Sequence, residues 1–160
     1  MTHVIQKEIE FDAGHRVPLH ASKCRNPHGH RYKVIAHVEG ELITEGPESG
    51  MVRDFSVVKQ LLTERVHDKY DHGFIVYEFD GEVFEGFGLL WEMDDGGWIN
   101  KFGWKVIVVP FYPTAECLAK SIYDDLKTVL PNLIKIDVWE TPTSMASYAE
   151  ATVHYMEGPA

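Results

Sequence analysis

His28 and His30 flank Gly29 in an H-G-H run, and His15 stands upstream at the end of an alternating apolar segment. Residues two apart in an extended strand point to the same face. His28 and His30 therefore share the face of Tyr32, Val34, Ala36 and Val38, which is apolar and should be covered. His15 continues the face of Ile5, Ile9, Phe11 and Ala13, so pairing these two strands as neighbours gathers three imidazoles at one end of a sheet. Three neutral histidines form a catalytic zinc set that leaves the fourth tetrahedral position open to water or substrate. Gly29 lets backbone or ligand approach closely. Cys24 lies four residues before His28, between Lys23 and Arg25. Flanking cations and a nearby metal lower a thiol pKa. Cys24 is thus either a base or nucleophile, or the fourth ligand of a closed Cys-His3 site, and spacing does not choose between these readings. His3, His20, His37 and His67 read as ordinary core or surface histidines.

Further along the chain, Asp71 and His72 are adjacent. They are either a general acid/base unit, with the carboxylate fixing the imidazole tautomer, or an exposed polar turn. Glu140 is in register with Ile134, Ile136 and Val138 and so points to the apolar face. A carboxylate there needs a partner: the paired N–H donors of a planar nitrogen heterocycle, an arginine, or solvent at a strand end. Glu116, behind Thr114, complements a helix macrodipole. Cys117, beside Leu118, reads as a small buried hydrophobe.

The elements that must position these groups follow from periodicity. Val4 to His15 alternates as a half-buried strand, and after a loop from Arg16 to Pro27 a second alternating run ends at Gly40. Phe55, Val58, Leu61, Leu62 and Val66 recur at helical spacing behind Asp54, predicting a helix over Phe55 to His67. Leu118, Ile122, Leu126 and Val129 predict a second over Ala115 to Leu130, stopped by Pro131. Ile134 to Val138 and Ala146 to Tyr155 alternate as two further strands. Between the helices, Gly81 to Gly103 is rich in Gly, acidic and aromatic residues without period. It reads as an inserted loop or irregular excursion, with a short strand at Val106 to Val109, and loops this long usually carry function or cover something. The pattern predicts one α+β domain over residues 1–160, an antiparallel four-stranded sheet with two helices on one face and an insertion at about 81–103.

With 160 residues, 44% of them hydrophobic, the chain can bury a core, which excludes intrinsic disorder. Its longest apolar stretch, Val106 to Val109, is far short of the roughly 20 residues of a membrane span, and the polar start lacks a signal-peptide core. A cytoplasmic protein is expected, as two cysteines are too few for a disulfide scaffold. The net charge of −10 argues against a nucleic-acid partner. That charge is uneven. Ala13 to Val38 holds five Lys and Arg, five of the nine histidines and no acid, whereas Tyr70 to Asn100 holds eight acids and no Lys or Arg. A basic, histidine-rich patch in an acidic protein invites an anionic small ligand or a metal.

Six segments in order carry a resemblance: F-D-A-G-H-R at Phe11 to Arg16, C-R-N-P-H-G-H at Cys24 to His30, G-M-V-R-D-F at Gly50 to Phe55, D-H at Asp71 and His72, P-T-A-E at Pro113 to Glu116, and W-E-T at Trp139 to Thr141. Together the chain resembles the 6-pyruvoyl-tetrahydropterin synthase and 6-carboxy-tetrahydropterin synthase family. The resemblance implies a tunnelling fold whose subunits form a trimeric barrel, two trimers stacking into a homohexamer with active sites between subunits. It implies that His15, His28 and His30 bind zinc, which holds and polarises the side chain of dihydroneopterin triphosphate. Cys24 would be the proton-abstracting base, and Asp71 and His72 of a neighbouring subunit would relay protons. Glu140 would clasp the pterin, with Thr114 and Glu116 in support, and the basic loop with Arg16, Lys23 and Arg25 would be the place for the triphosphate.

The C-x3-H-G-H spacing resembles the bacterial carboxy-forming enzymes of queuosine and other 7-deazaguanine synthesis, whereas the pyruvoyl-forming animal enzymes have C-x5-H-G-H. The expected products are therefore 6-carboxytetrahydropterin, triphosphate and acetaldehyde. The competing readings are the pyruvoyl-forming synthase, a non-catalytic zinc-stabilised binding module, and a zinc hydrolase of purine or pterin rings. The chain departs from the family pattern in three places: Pro27 before H-G-H in place of Leu, Gly73 directly after Asp71-His72, and the long insertion.

Overall fold

A computed structural model of the protein describes residues 1–92 and 97–150. Strands β1 (His3–His15) and β2 (His28–Gly40) pair antiparallel along their whole length, from His3 opposite Gly40 to His15 opposite His28. The far edge of β2 carries β7 (Leu133–Thr141), and β7 carries β8 (Ser144–Tyr148), both antiparallel. These four are the expected antiparallel sheet. On the other side of β1 the sheet continues with β3 (Gly73–Tyr77) and β6 (Val106–Val109), each added parallel. Among the described residues the sheet therefore has six strands, in the order β6-β3-β1-β2-β7-β8.

Two helical segments cover one face. Helix α1 (Phe55–Leu62) starts at Asp54, whose carboxylate accepts from Ser56 N at 2.7 Å. It runs on through a wider π-type turn at Thr63–His67 and a last turn, α2 (Asp68–Tyr70), so it ends three residues past the expected His67. The other helix is labelled α4 (Ala115–Lys127), since the insertion supplies α3; Thr114 caps it by accepting from Cys117 N, and it stops short of the expected Leu130. Val58, Leu62, Leu118, Ile122 and Leu126 pack on Phe11, Tyr32, Val34, Ala36 and Val138. Each such side chain, fully buried, contributes about 1.5–3 kcal/mol. Cys117 is half-buried rather than enclosed in this core.

The insertion is more regular than its composition suggests. It forms α3 (Gly81–Phe87) and a hairpin of β4 (Leu89–Glu92) and β5 (Gly97–Asn100). Val83, Leu89, Phe84, Phe87 and Trp98 pack against Phe74, Val76 and Val106 of β3 and β6, while Ile75 of β3 enters the main core on the opposite side. Strand β3 is thus buried on both faces, with helices below and the insertion above. Of the expected last strand, Ala146 to Tyr155, the part from 151 onward lies outside the described residues. Among the described residues no helix is long and apolar enough to cross a membrane.

The helix-free face of β2 and β7 holds a buried polar cluster. His37 Nε2 lies 2.6 Å from Asp137 Oδ2, Lys135 Nζ lies 3.2 Å from the same oxygen, and Ser147 Oγ donates to Asp137 Oδ1 at 2.5 Å. Burial opposes the charge on Asp137, but the bonds from Ser147, His37 and Lys135 outweigh it and hold the carboxyl below its ordinary value of 3.8. A group with a depressed folded pKa stabilises the protein above its unfolded pKa, and the contribution is lost as pH falls through the folded value. Asp137→Ala is expected to lower the unfolding free energy by about 3 kcal/mol at neutral pH, measured by urea titration. The gap to wild type should shrink on acidification below about pH 4; a gap unchanged down to about pH 2 would show that the carboxylate charge plays no part.

Candidate metal centre and active site

The open ends of β1 and β2 carry the three histidines, and the register that sets His15 opposite His28 and Ala13 opposite His30 turns all three rings to the helix-covered side. Ring centroids lie 4.5 Å (His15–His28), 5.2 Å (His15–His30) and 4.9 Å (His28–His30) apart. One ligating atom from each lies within 4.8 Å of the other two. His15 is 1% exposed.

Two backbone carbonyls orient this set. His15 Nδ1 sits 2.6 Å from Pro113 O and His28 Nδ1 sits 2.7 Å from Asn26 O. A carbonyl only accepts, so both Nδ1 atoms carry the proton and both Nε2 lone pairs are free for a metal. Pro27 contributes to this: the residue before proline is confined to extended backbone, and Asn26 has φ −83° and ψ 147°. The departure from the usual Leu thus fixes the peptide whose carbonyl holds His28. Burial, with His28 and His30 close by, lowers the pKa of His15 to about 4 against the opposing pull of the Pro113 carbonyl. Burial also lowers that of His30. Both are neutral at physiological pH, the form that binds metal. His15 Nε2 and His30 Nε2 are buried without a hydrogen-bond partner among the described residues. Unpaired buried nitrogens are costly, and three imidazole donors suit a divalent transition metal, so the residues present fit such an ion.

A cavity of about 230 Å³ opens beside this set, lined in part by His15, Cys24, Thr114, Glu116, Glu140 and Met145. Glu140 points inward as its register requires, with Oε1 3.5 Å from His15 Nε2 and 3.9 Å from His30 Nε2. Near it, the Tyr32 hydroxyl is buried and unpartnered, and burial together with the Glu140 charge makes it a much weaker acid than usual. Cys24 is half-buried in a single 3-10 turn, Lys23–Arg25, which is tied back by the bond from Val17 N to Cys24 O at 2.8 Å. Its sulfur lines the cavity but is not among the clustered ligand atoms.

Asp71 and His72 lie elsewhere. Asp71 Oδ1 accepts from Asp12 N at 2.9 Å, and Oδ2 accepts from His72 Nδ1 at 2.6 Å. The bond from Asp12 N and the neighbouring His72 lower the Asp71 pKa despite some burial. The His72 ring is 81% exposed, on a backbone with φ 56°. Lys105 Nζ donates to the carbonyls of Asp68 (2.8 Å) and Asp71 (2.7 Å), which fixes this helix end. His72 borders a groove with Gly14, Gly29, His30 and Arg31, and neither residue of the pair lines the cavity of Cys24 and Glu140. Arg16, grouped by the sequence with Lys23 and Arg25, is instead clamped by Asp80 (2.7 and 2.9 Å) and Glu82 (2.7 Å).

Of the expected site, the fold brings together His15, His28, His30, Cys24, Thr114, Glu116 and Glu140, and leaves Asp71 and His72 outside. The carbonyls of Pro113 and Asn26, the Tyr32 hydroxyl and Lys105 are additions. Only Asn26 had a signal, the pre-proline position; a carbonyl that holds a distant ring leaves no trace in residue type.

The family model for 6-pyruvoyl tetrahydropterin synthase matches residues 4–151. Over 147 residues the chain is 36% identical to the 6-carboxy-5,6,7,8-tetrahydropterin synthase of Haemophilus influenzae, covering 91% of this chain and 98% of that protein. Its identity to the Synechocystis protein of the same name is 33%, covering 91% and 92%. Among solved structures, an uncharacterized protein from Wolinella succinogenes superposes with a TM-score of 0.73 at 26% identity, covering 94% of this chain and 99% of that one. Caenorhabditis elegans 6-pyruvoyl tetrahydropterin synthase superposes with a TM-score of 0.65 at 23% identity, covering 94% and 97%, which establishes the shared tunnelling fold.

Metal binding tests the donor set directly. His15→Ala and His28→Ala are each expected to weaken zinc affinity by at least about 100-fold in competitive titration, whereas Cys24→Ala should bind as wild type does. Loss of zinc from the Cys24 variant would instead make the sulfur a ligand.

Proposed function

The chain belongs to the 6-pyruvoyl tetrahydropterin synthase family, and from that premise we propose that it is a zinc-dependent 6-carboxy-5,6,7,8-tetrahydropterin synthase. It converts 7,8-dihydroneopterin triphosphate to 6-carboxytetrahydropterin with release of triphosphate and acetaldehyde, in the cytoplasm, as a step of queuosine and 7-deazaguanine synthesis. The observation that carries this reading is a cavity that holds a thiol and an inward carboxylate and reaches the three-histidine set through His15: His15, Cys24 and Glu140 line it. The carboxy product is favoured over the pyruvoyl one by the C-x3-H-G-H spacing and by the names of the Haemophilus and Synechocystis relatives.

His15, His28 and His30 would hold the zinc, which when bound supplies Lewis-acid polarisation of the substrate's side-chain oxygens. Glu140 accepts from the paired N–H groups of the pterin and sets the ring at a fixed depth, supported by Thr114 and Glu116. Cys24, on the loop facing His15, removes a proton from the side-chain carbon. Asp71 keeps the proton of His72 on Nδ1, so His72 Nε2 is free to take up and return a proton. The exposure of His72 away from its own cavity supports its service in a neighbouring subunit's site, as in a hexamer built from two trimers. The position of Cys24 outside the nitrogen cluster speaks against a closed structural Cys-His3 centre.

Incubation with 7,8-dihydroneopterin triphosphate should yield the carboxy pterin with stoichiometric acetaldehyde, identified by mass spectrometry. A pyruvoyl product without acetaldehyde would overturn the choice of reaction. Cys24→Ala should remain folded and zinc-loaded while turnover falls by about 10²–10⁴-fold. Light scattering should report a hexamer, and a stable monomer would defeat the shared-site arrangement.

A further inference from the structure

The Tyr32 hydroxyl is a donor without an acceptor, and the Glu140 carboxylate beside it is an acceptor without a donor. Tyr32 is 0% exposed, and its oxygen has no hydrogen-bond partner among the described residues. Among the same residues no hydrogen bond reaches Glu140, whose Oε1 stands 3.5 Å from His15 Nε2 and 3.9 Å from His30 Nε2. The proton of His15 is on Nδ1, so its Nε2 offers the carboxylate only a lone pair. A phenol left unpaired in a core is costly and requires an explanation.

The sheet sets the two groups side by side. β2 pairs with β7 through Val34 opposite Val138 and Lys33 opposite Trp139, so one step further the register brings Glu140 next to Tyr32 on the helix-covered face. The charge of Glu140 acts on the Tyr32 hydroxyl in the same direction as burial, making it a weaker acid. Packing fixes the tyrosine ring: it stacks on Phe11 at 5.1 Å between centroids and stands edge-on to His15 at 5.9 Å and His30 at 5.7 Å. Glu140, with its side chain 26% exposed on the cavity wall, has room to turn. The donor is therefore fixed and the acceptor movable. A carboxylate has about four lone-pair sites, so it takes the paired N–H groups of a heterocycle and still accepts one further donor.

We propose that Tyr32 is a positioning residue for Glu140, its hydroxyl donating to the carboxylate as a pterin draws Glu140 into line, so that the rigid phenol sets the depth at which the ring is held. The proposal rests on the pterin reading above. Tyr32 acts through Glu140 alone and touches neither the substrate nor a metal. Its hydroxyl is unpaired before the ligand enters and paired afterwards, so a penalty carried by the free protein is relieved on binding.

Tyr32→Phe keeps the ring and removes only the hydroxyl. Neopterin, fully aromatic, serves as a fluorescent probe of ring binding to the zinc-loaded protein, with metal content checked after each titration, and acetohydroxamate serves as a ligand of the metal alone. Tyr32→Phe should weaken neopterin about 10-fold, while zinc and acetohydroxamate bind as they do to wild type. Without ligand its melting temperature should equal or exceed that of wild type, because a buried unpaired group has gone. Equal losses for neopterin and acetohydroxamate would place the hydroxyl at the metal and overturn the proposal. A lower melting temperature with neopterin affinity unchanged would make the hydroxyl merely structural, overturning the proposal and leaving the enzyme reading standing. Failure of wild type to bind neopterin at all would defeat the pterin reading and the role of Tyr32 with it.

Discussion

The register of β1 on β2 is the constraint on which the site depends. A strand's side chains alternate, so a slip of one residue would carry a whole set to the opposite face. Thirteen successive pairs, His3 with Gly40 to His15 with His28, fix the register here. The Phe11 and Tyr32 rings, paired at a centroid distance of 5.1 Å inside the core, pin it by packing. With that register the three imidazoles converge under the helices; one step away, His28 and His30 would face outward and Arg31 and Lys33 would turn into the core. The hydrophobic core that secures β1 and β2 is thus also what gathers the three-histidine cluster.

A second layer of constraint comes from two segments in the middle of the chain. Pro113, just before the cap of α4, supplies the carbonyl that holds His15, so the helix start and the end of β1 are fixed as a unit. One residue past His15, Arg16 is tied to Asp80, which also accepts from Val83 N at the start of α3. The insertion is therefore fastened directly beside the end of β1 that carries His15. It also covers β3 and β6 on the face the helices do not reach. Basic loop and acidic insertion meet at this point, which explains the polarised charge of the chain: the excess of acid in one segment compensates cations in the other.

Strand β3, which periodicity did not reveal, and the sheet position of β6, whose strand was expected without a partner, share one cause. F-I-V-Y at Phe74 to Tyr77 and V-I-V-V at Val106 to Val109 are continuous apolar runs, because the sheet there is covered on both faces and parallel. Without alternation there was no face to read. The polar cluster on the helix-free side was hidden for a different reason. His37 and Asp137 stand correctly on the outward face by alternation, yet both are buried, in a cluster with Lys135 of β7 and Ser147 of β8, which each contact the Asp137 carboxylate. The helix ends moved by three residues at each of two places, where capping and the π-type turn, not the apolar spacing, decide termination.

By itself the sequence determined the ligand types, their common face and the inward carboxylate, because alternation is a local geometric fact carried by Ala13 to His15, His28 to Val38 and Ile134 to Glu140. It also determined the α+β class, since the helical and extended periods are local too. Only the tertiary structure decided which nitrogen of His15 and His28 is left free for a metal, that Arg16 is already engaged, and that Cys24 and Arg25 line different cavities. It also set His72 on a groove apart from the cavity of Cys24 and Glu140 in the same chain. Apart from His28, which is held by Asn26 two residues before it, these depend on contacts between residues tens of positions apart. Pro113 reaches His15, and Asp80 reaches Arg16, through the packing of whole elements, and such pairings are set by the three-dimensional register rather than by the identity of either residue.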